Sequence, residues 1–141
     1  MFSDEGIVSR VSDRFVPLKL FLGRDREATR RYRPFWTPTL YFLDPDGTSL
    51  LDWPGVIPKD SFQVLLDLGD ALVGLRRGRF QEAVELLDGI HRDHPENVFA
   101  PEALWWSGVV RHVVQGDVGA LEGSRRKLKE RYPDSAPALR V

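Results

Sequence analysis

The chain has 141 residues, 42% of them hydrophobic and 29% charged, with a net charge of −1 and no cysteine. That composition is globular rather than disordered and supplies no basic field to attract nucleic acid. Without cysteine, disulfides, thiolate chemistry and cysteine-ligated zinc or iron–sulfur centres are excluded. The opening MFSDEGIVSR lacks the apolar core of a secretory leader and no run of about 18 apolar residues offers a membrane span, so a cytoplasmic protein without membrane partners is expected.

The chain changes character near residue 57. In SDEGIVSRVSDRF, Ser3 is a candidate N-cap and Ile7, Val8, Val11 and Phe15 follow at helical spacing, predicting a short helix to about Arg14. In FVPLKLFLG, Val16, Leu18, Leu20 and Leu22 alternate with Pro17, Lys19 and Phe21, which predicts a strand with proline at its start. RDREATRRY, residues 24–32, reads as a short charged helix with Ala28 and Tyr32 inward. TLYFLDPDGTSLLDW predicts a hairpin. Residues 39–43 and 48–53 are its strands, and Asp44, Pro45, Asp46 and Gly47 are its turn.

From residue 58 onward the pattern is helical. Pro58 suits a first helical turn. Phe62, Leu65, Leu66, Leu68, Gly69, Leu72 and Leu75 form a broad stripe, predicting a helix over 58–77 that stops at Gly78. An internal repeat follows. GRFQEAVELLDGIHRDHPE and GDVGALEGSRRKLKERYPD each run from a glycine to a proline, and Gly78 and Gly116 stand 38 positions apart, as do Pro95 and Pro133. Phe80 aligns with Val118, Ala83 with Leu121, Ile90 with Leu128 and His94 with Tyr132. APEALWWSGVVRHVVQ is the helix before the second copy. Gly69 and Gly108 take comparable places in the helices preceding the two copies, where a missing Cβ lets helices approach. The second half therefore reads as two helical hairpins in series.

On these residues the second half resembles tetratricopeptide repeats: small residues at Gly69, Gly108 and Ala83, and closing prolines at 95 and 133. The period exceeds the family's usual length of about 34, and two units fall short of the three or so that stand alone. Leu121 replaces the expected alanine. The first half resembles the latter part of a thioredoxin fold. Residues 15–20 are similar to its second core strand, 32–38 to the approach to its cis-proline loop, 44–47 to its hairpin turn and Gly55 to the glycine after its last strand. That resemblance implies a cis bond between Thr37 and Pro38, which proline makes inexpensive. Residues 2–11 resemble the end of the helix that the family's CxxC motif opens, so the motif position would lie upstream of Met1.

The expected fold is α/β followed by all-α: a partial thioredoxin-like sheet of about three strands over 1–57, then tetratricopeptide-like hairpins over 58–141, with helix 58–77 shared so that the chain behaves as one body. A sheet lacking its central strand leaves edges exposed, so self-association as a dimer is expected.

Several residues invite chemistry. Thr37 and Pro38 suit a peptide-holding loop, as the thioredoxin resemblance implies, with Trp36 beside them as a platform or as core. Adjacent Trp105 and Trp106 face about 100° apart on a helix, one toward the core and one toward an interface. His91 and His94 at i, i+3, with His112, have the residue type for zinc, but His94 stands where the repeat has a closing aromatic, so packing is preferred and no metal or other cofactor is expected. Asp44 and Asp46 read as turn formers rather than paired catalytic acids, and the basic runs at 75–79 and 125–131 as solvated helix faces. No nucleophile elbow, phosphate loop or HExxH occurs. The reading is a non-catalytic interaction module binding a protein or peptide through Trp36, Thr37, Pro38, Trp105 and Trp106. The alternative is part of a thioredoxin-like disulfide oxidoreductase whose CxxC lies upstream.

Overall fold

Residues 4–140 are described by the computed structural model. The first helix, α1 (Glu5–Arg14), is capped by Asp4, whose Oδ1 accepts the Ile7 N–H at 3.1 Å. Asp4 also pairs with Lys59 at 2.5 Å. The Ser3 cap expected from sequence lies outside the described residues. Ile7 and Val11, four residues apart on one helix face, are both buried. Helix α2 (Arg26–Tyr32) buries nothing completely; Ala28 and Tyr32 are half-buried. It ends where Arg33 takes the left-handed conformation, φ 45°.

The hairpin forms as its turn chemistry demands. Strand β1 (Thr39–Leu43) pairs antiparallel with β2 (Ser49–Pro54), Leu40 opposite Trp53 and Phe42 opposite Leu51, with an irregularity after Phe42. The turn is closed by Gly47 N–H to Asp44 O at 2.7 Å and Asp44 N–H to Thr48 O at 2.9 Å. The Asp46 carboxylate accepts the Thr48 N–H at 2.8 Å, so these two acids are turn formers. Period-two alternation then sets the faces. Phe42 is buried and meets Phe15 edge-on, ring centroids 5.5 Å apart, while Tyr41 on the other face lies against Tyr32 at 5.4 Å.

The strand expected over residues 16–22 does not form, and the sheet has two strands. Alternation alone does not make a strand; its N–H and C=O groups need a ladder partner. Among the described residues β1 is laddered only to β2. Residues 16–22 contribute no ladder, and Val16 and Leu18 stand 86% and 76% exposed. Their C-terminal end is claimed by a turn. Asp25 Oδ2 accepts the Phe21 N–H, and Phe21 O accepts the Arg24 and Asp25 N–H groups at 2.9 Å.

The chain divides into two compact units, Met1–Lys59 and Asp60–Val141, at the first residue of α3 (Lys59–Arg76). Helix α3 is buried almost all round: Phe62, Val64, Leu65, Leu66, Leu68, Ala71 and Gly74 are all inaccessible, whereas Leu72 and Leu75 are half-buried. Pro58 precedes its first residue instead of lying within the first turn. Helices α4 (Phe80–Asp93), α5 (Ala100–Gln115) and α6 (Val118–Arg131) follow, then a 3₁₀ turn, Pro137–Arg140.

The sequence repeat is matched in the backbone. Helices α4 and α6 have 14 residues each and end on His94 (φ −129°, ψ 51°) and Tyr132 (φ −129°, ψ 53°). Each cap N–H returns to the carbonyl four residues back, at Ile90 and Leu128, which are both buried. The preceding Gly78 and Gly116 have φ 77° and 69°, a region that suits glycine. The helix contacts differ between copies. A Cβ built on Gly108 would lie 2.6 Å from Ser124 Cβ on α6, whereas one on Gly74 of α3 would lie 3.5 Å from Ala83 Cβ on α4.

Candidate functional site

The loop between α2 and β1 carries the site residues of the first unit. Its Thr37–Pro38 bond is cis, as the sequence pattern implies. The loop is closed from inside: Thr39 Oγ1 donates to Trp36 O at 2.6 Å, and Pro38 O accepts the Gly55 N–H at 2.7 Å. Pro38 therefore spends its carbonyl on the hairpin rather than presenting it outward. With Pro38 paired toward Gly55, residues 40 and 42 also turn their backbone groups to β2, and those of Thr39 and Tyr41 point to the open edge of β1.

Aromatic surface stands beside that edge. Trp36 is 63% exposed, so the core position weighed for it is not the one it takes, and Phe35 is 100% exposed. Thr37 and Pro38 are exposed as well. Sequence reasoning singled out Trp36 and passed over Phe35. The available signal was the adjacency of two bulky aromatics ahead of a proline turn, which cannot both be buried by one short loop.

Alongside the loop lies a depression of about 510 Å³ lined by Arg31, Arg33, Phe35, Tyr41, Ser49 and Asp52 among others. Its floor is built by hydrogen bonds: Tyr32 hydroxyl to Gly47 O at 3.1 Å and Tyr41 hydroxyl to Tyr32 O at 3.4 Å. Burial pushes the Tyr41 phenol above its usual range, and the nearby Asp52 charge adds to the effect, so the hydroxyl remains a donor.

Trp105 and Trp106 belong to the second unit. Trp105 packs against Leu104, Leu128 and Ala138 together with Tyr132. Trp106 is half-buried and its Nε1–H donates to Glu102 Oε1 at 3.0 Å, an oxygen that Arg140 also reaches at 2.9 Å. Trp106 thus keeps ring surface outside, while Trp105 commits its ring to the packing of α5, α6 and the 3₁₀ turn.

The polar contacts of the second unit join its helices. Asp88 on α4 accepts Ser107 Oγ at 2.6 Å and the Arg111 guanidinium at 3.1 Å, both from α5. Burial opposes its charge, but these partners prevail and hold its carboxyl below the ordinary range. Tyr132 donates to Pro95 O at 2.7 Å and meets His91 edge-on. His91 is depressed first by burial and then by Lys127 and Arg131, with Asp88 acting the other way. Among the described residues no group of His, Cys, Asp and Glu is placed to hold a metal ion, and no helix is long and apolar enough to cross a membrane.

No curated protein and no solved structure matches the chain. A protein-family comparison matches residues 1–69 to the thioredoxin-like domain, a stretch that takes in α1, α2, the hairpin and the first part of α3. Over those residues the chain is similar to a thioredoxin-like domain, and a helical region continues from it.

Proposed function

We propose that this chain is a non-catalytic protein-interaction module. The observation that carries the reading is the loop at residues 35–38, where Phe35 and Trp36 stand exposed at the head of a strand whose outer backbone edge has no ladder partner among the described residues. An extended peptide laid along β1 would pair with the backbone of Thr39 and Tyr41 and rest on Trp36, the mode known as strand addition. Thr37 and Pro38 shape the entry to that edge. With no cysteine in the chain, contact rather than sulfur exchange is what these residues have to offer.

The helical hairpins supply a second surface, read as tetratricopeptide-like, with the half-buried Trp106 its contact aromatic and Trp105 its support. The exposed residues Val16, Leu18, Leu20, Phe21 and Leu22 lie in the same unit as the open edge, which favours association of two copies. A cytoplasmic setting fits this role. The test is affinity capture with the intact chain, followed by titration of the purified partner against wild type, Phe35→Ala and Trp36→Ala. A buried interface tryptophan is worth about 2 kcal/mol or more, so Trp36→Ala should weaken binding at least about thirtyfold. Equal affinity for all three proteins would refute the loop as the contact.

A further inference from the structure

We propose that the depression beside the loop is an oxyanion site, built around Arg31 and Arg33, that takes one carboxylate or phosphate group of the partner peptide. The peptide rests on the interaction reading above; the anion site stands on its own geometry.

Arg31 is held in place before any ligand arrives. Its Nη2 donates to Asp46 O at 3.1 Å, and its guanidinium carbon sits 5.5 Å from the Tyr32 ring centroid. Gly47 makes this possible by having no side chain, since a Cβ there would lie 2.5 Å from Nη2. Tyr32 is itself fixed, donating to Gly47 O. The side-chain entropy that an arginine ordinarily loses on binding is thus already lost. Arg33 enters the same depression from the left-handed residue that ends α2.

Neither guanidinium is paired with a carboxylate among the described residues. This contrasts with the partnered arginines of the second unit, Arg79, Arg92, Arg111, Arg125, Arg131 and Arg140, each of which has a described acid. Guanidinium forks match carboxylate and phosphate oxygens. Hydroxyls of Thr48 and Ser49 line the same space and supply neutral donors. Asp52 also lines it and opposes any bound anion, so the two guanidiniums keep a net attraction sufficient for a single anionic group rather than an acidic run. The volume of about 510 Å³ is within the range of small-ligand pockets, and Phe35 and Tyr41 provide apolar wall for the flanking part of the peptide.

The experiment is a two-dimensional amide NMR titration of the intact chain, with sodium acetate and inorganic phosphate as separate probes and sodium chloride matching ionic strength. Saturable shifts are expected at the amides of Gly47, Thr48 and Ser49 and at Arg31 Nε, with either probe or both. The better probe identifies whether carboxylate or phosphate is the group read. Arg33→Gln should weaken binding about tenfold, the usual scale for losing a charged hydrogen-bond partner. The Arg33 side chain makes no described hydrogen bond or ion pair, and its backbone N–H bond to Thr29 O is kept in the variant, so Arg33→Gln should fold even if Arg31→Gln loosens the turn. Shifts that grow linearly with both probes, or an unchanged dissociation constant in Arg33→Gln, overturn the site. Because the probes are free anions, that result would leave the Trp36 experiment untouched, and failure of the Trp36 experiment would leave this one untouched.

Discussion

Replacing Gly108 with alanine places two ordinary rules in opposition, and the geometry decides between them. Alanine in a helix interior is favoured over glycine by about 1 kcal/mol, so an open site would gain stability. Gly108 is not open. The new Cβ would stand 2.4 Å from Ser124 Oγ, 2.6 Å from Ser124 Cβ and 3.4 Å from the Ala120 carbonyl. Carbon atoms pack at about 3.5–4.0 Å, so α5 and α6 must separate by about 1 Å. Ser124 cannot rotate its own Cβ aside, because that atom is fixed to the α6 backbone. Overpacking of this kind costs about 1–3 kcal/mol, and the propensity gain offsets part of it. A net loss of about 1–2 kcal/mol lowers the melting temperature of a unit this size by about 5–10 °C. Circular-dichroism melts of Gly108→Ala, Ser124→Gly and the double variant measure it. The double variant restores the clearance, so the two changes should be coupled by about 1–2 kcal/mol. Gly123→Ala, whose Cβ meets nothing within 4 Å, is the control and should be stabilising. A rise in melting temperature for Gly108→Ala, or strictly additive effects in the cycle, refutes the packing argument.

Asp88→Asn should cost about 1 kcal/mol at neutral pH, a modest figure because its side chain is 42% exposed. Since the folded carboxyl is held below its ordinary value, the wild-type contribution is present above about pH 4 and lost as the pH falls further; denaturant melts at pH 7 and pH 3 should show a smaller difference in the variant. His91 runs the opposite way in origin: the folded imidazole is depressed by burial, then by Lys127 and Arg131. Its neutral form is the one that fits, so stability falls as the pH drops below about 6.5, and His91→Gln should flatten the melting-temperature profile between pH 7.5 and 5.5. Light scattering on the wild type should give a mass above the 16.1 kDa of one chain, with Leu18→Lys/Leu20→Lys returning it to monomer; a monomeric wild type at high concentration would remove the self-association proposal.

Elements whose signals are local were legible in the sequence. Helix α1, the hairpin, the end of α3 at Gly78 and the equal caps at His94 and Tyr132 all follow from periodicity, turn residues and repeat spacing. The cis bond before Pro38 was legible through the thioredoxin resemblance instead. What was not legible depended on a neighbour. Residues 16–22 have the alternation of a strand but no ladder partner among the described residues, and a strand is a property of a pair. The approach of α3 to α4 at Gly74 depends on how two helices rotate against each other, which one-dimensional spacing does not fix. Arg31 read as an ordinary charge in a short charged helix, and Arg33 as part of the approach to the loop. Their grouping with Thr48 and Ser49 required the fold to bring α2 against a turn some fifteen residues later, and Gly47, which has room for Arg31, looked in sequence only like a turn residue.

The misread strand and the exposed aromatics have one physical origin. A two-stranded hairpin is marginal by itself, and here it is steadied from outside its own ladder: Phe15 packs on Phe42 from one face, and Tyr32 on Tyr41 from the other. Those contacts hold the hairpin without covering the outer edge of β1. The edge groups of Thr39 and Tyr41 therefore remain available, and the apolar side chains at 16, 18, 20, 21 and 22 are left without a laddered surface to pack on. Natural sheets usually blunt such edges with charge, proline or a bulge. The irregularity after Phe42 leaves Leu50 of β2 unpaired and so does not blunt the outer edge of β1, while the end nearest the loop carries Trp36 and Phe35. Under the interaction proposed above, an edge furnished with aromatic surface at its loop end would accept a strand from that side. This links the two readings of the first unit, because Phe35 of the loop and Thr39 and Tyr41 of β1 all line the depression that holds Arg31 and Arg33.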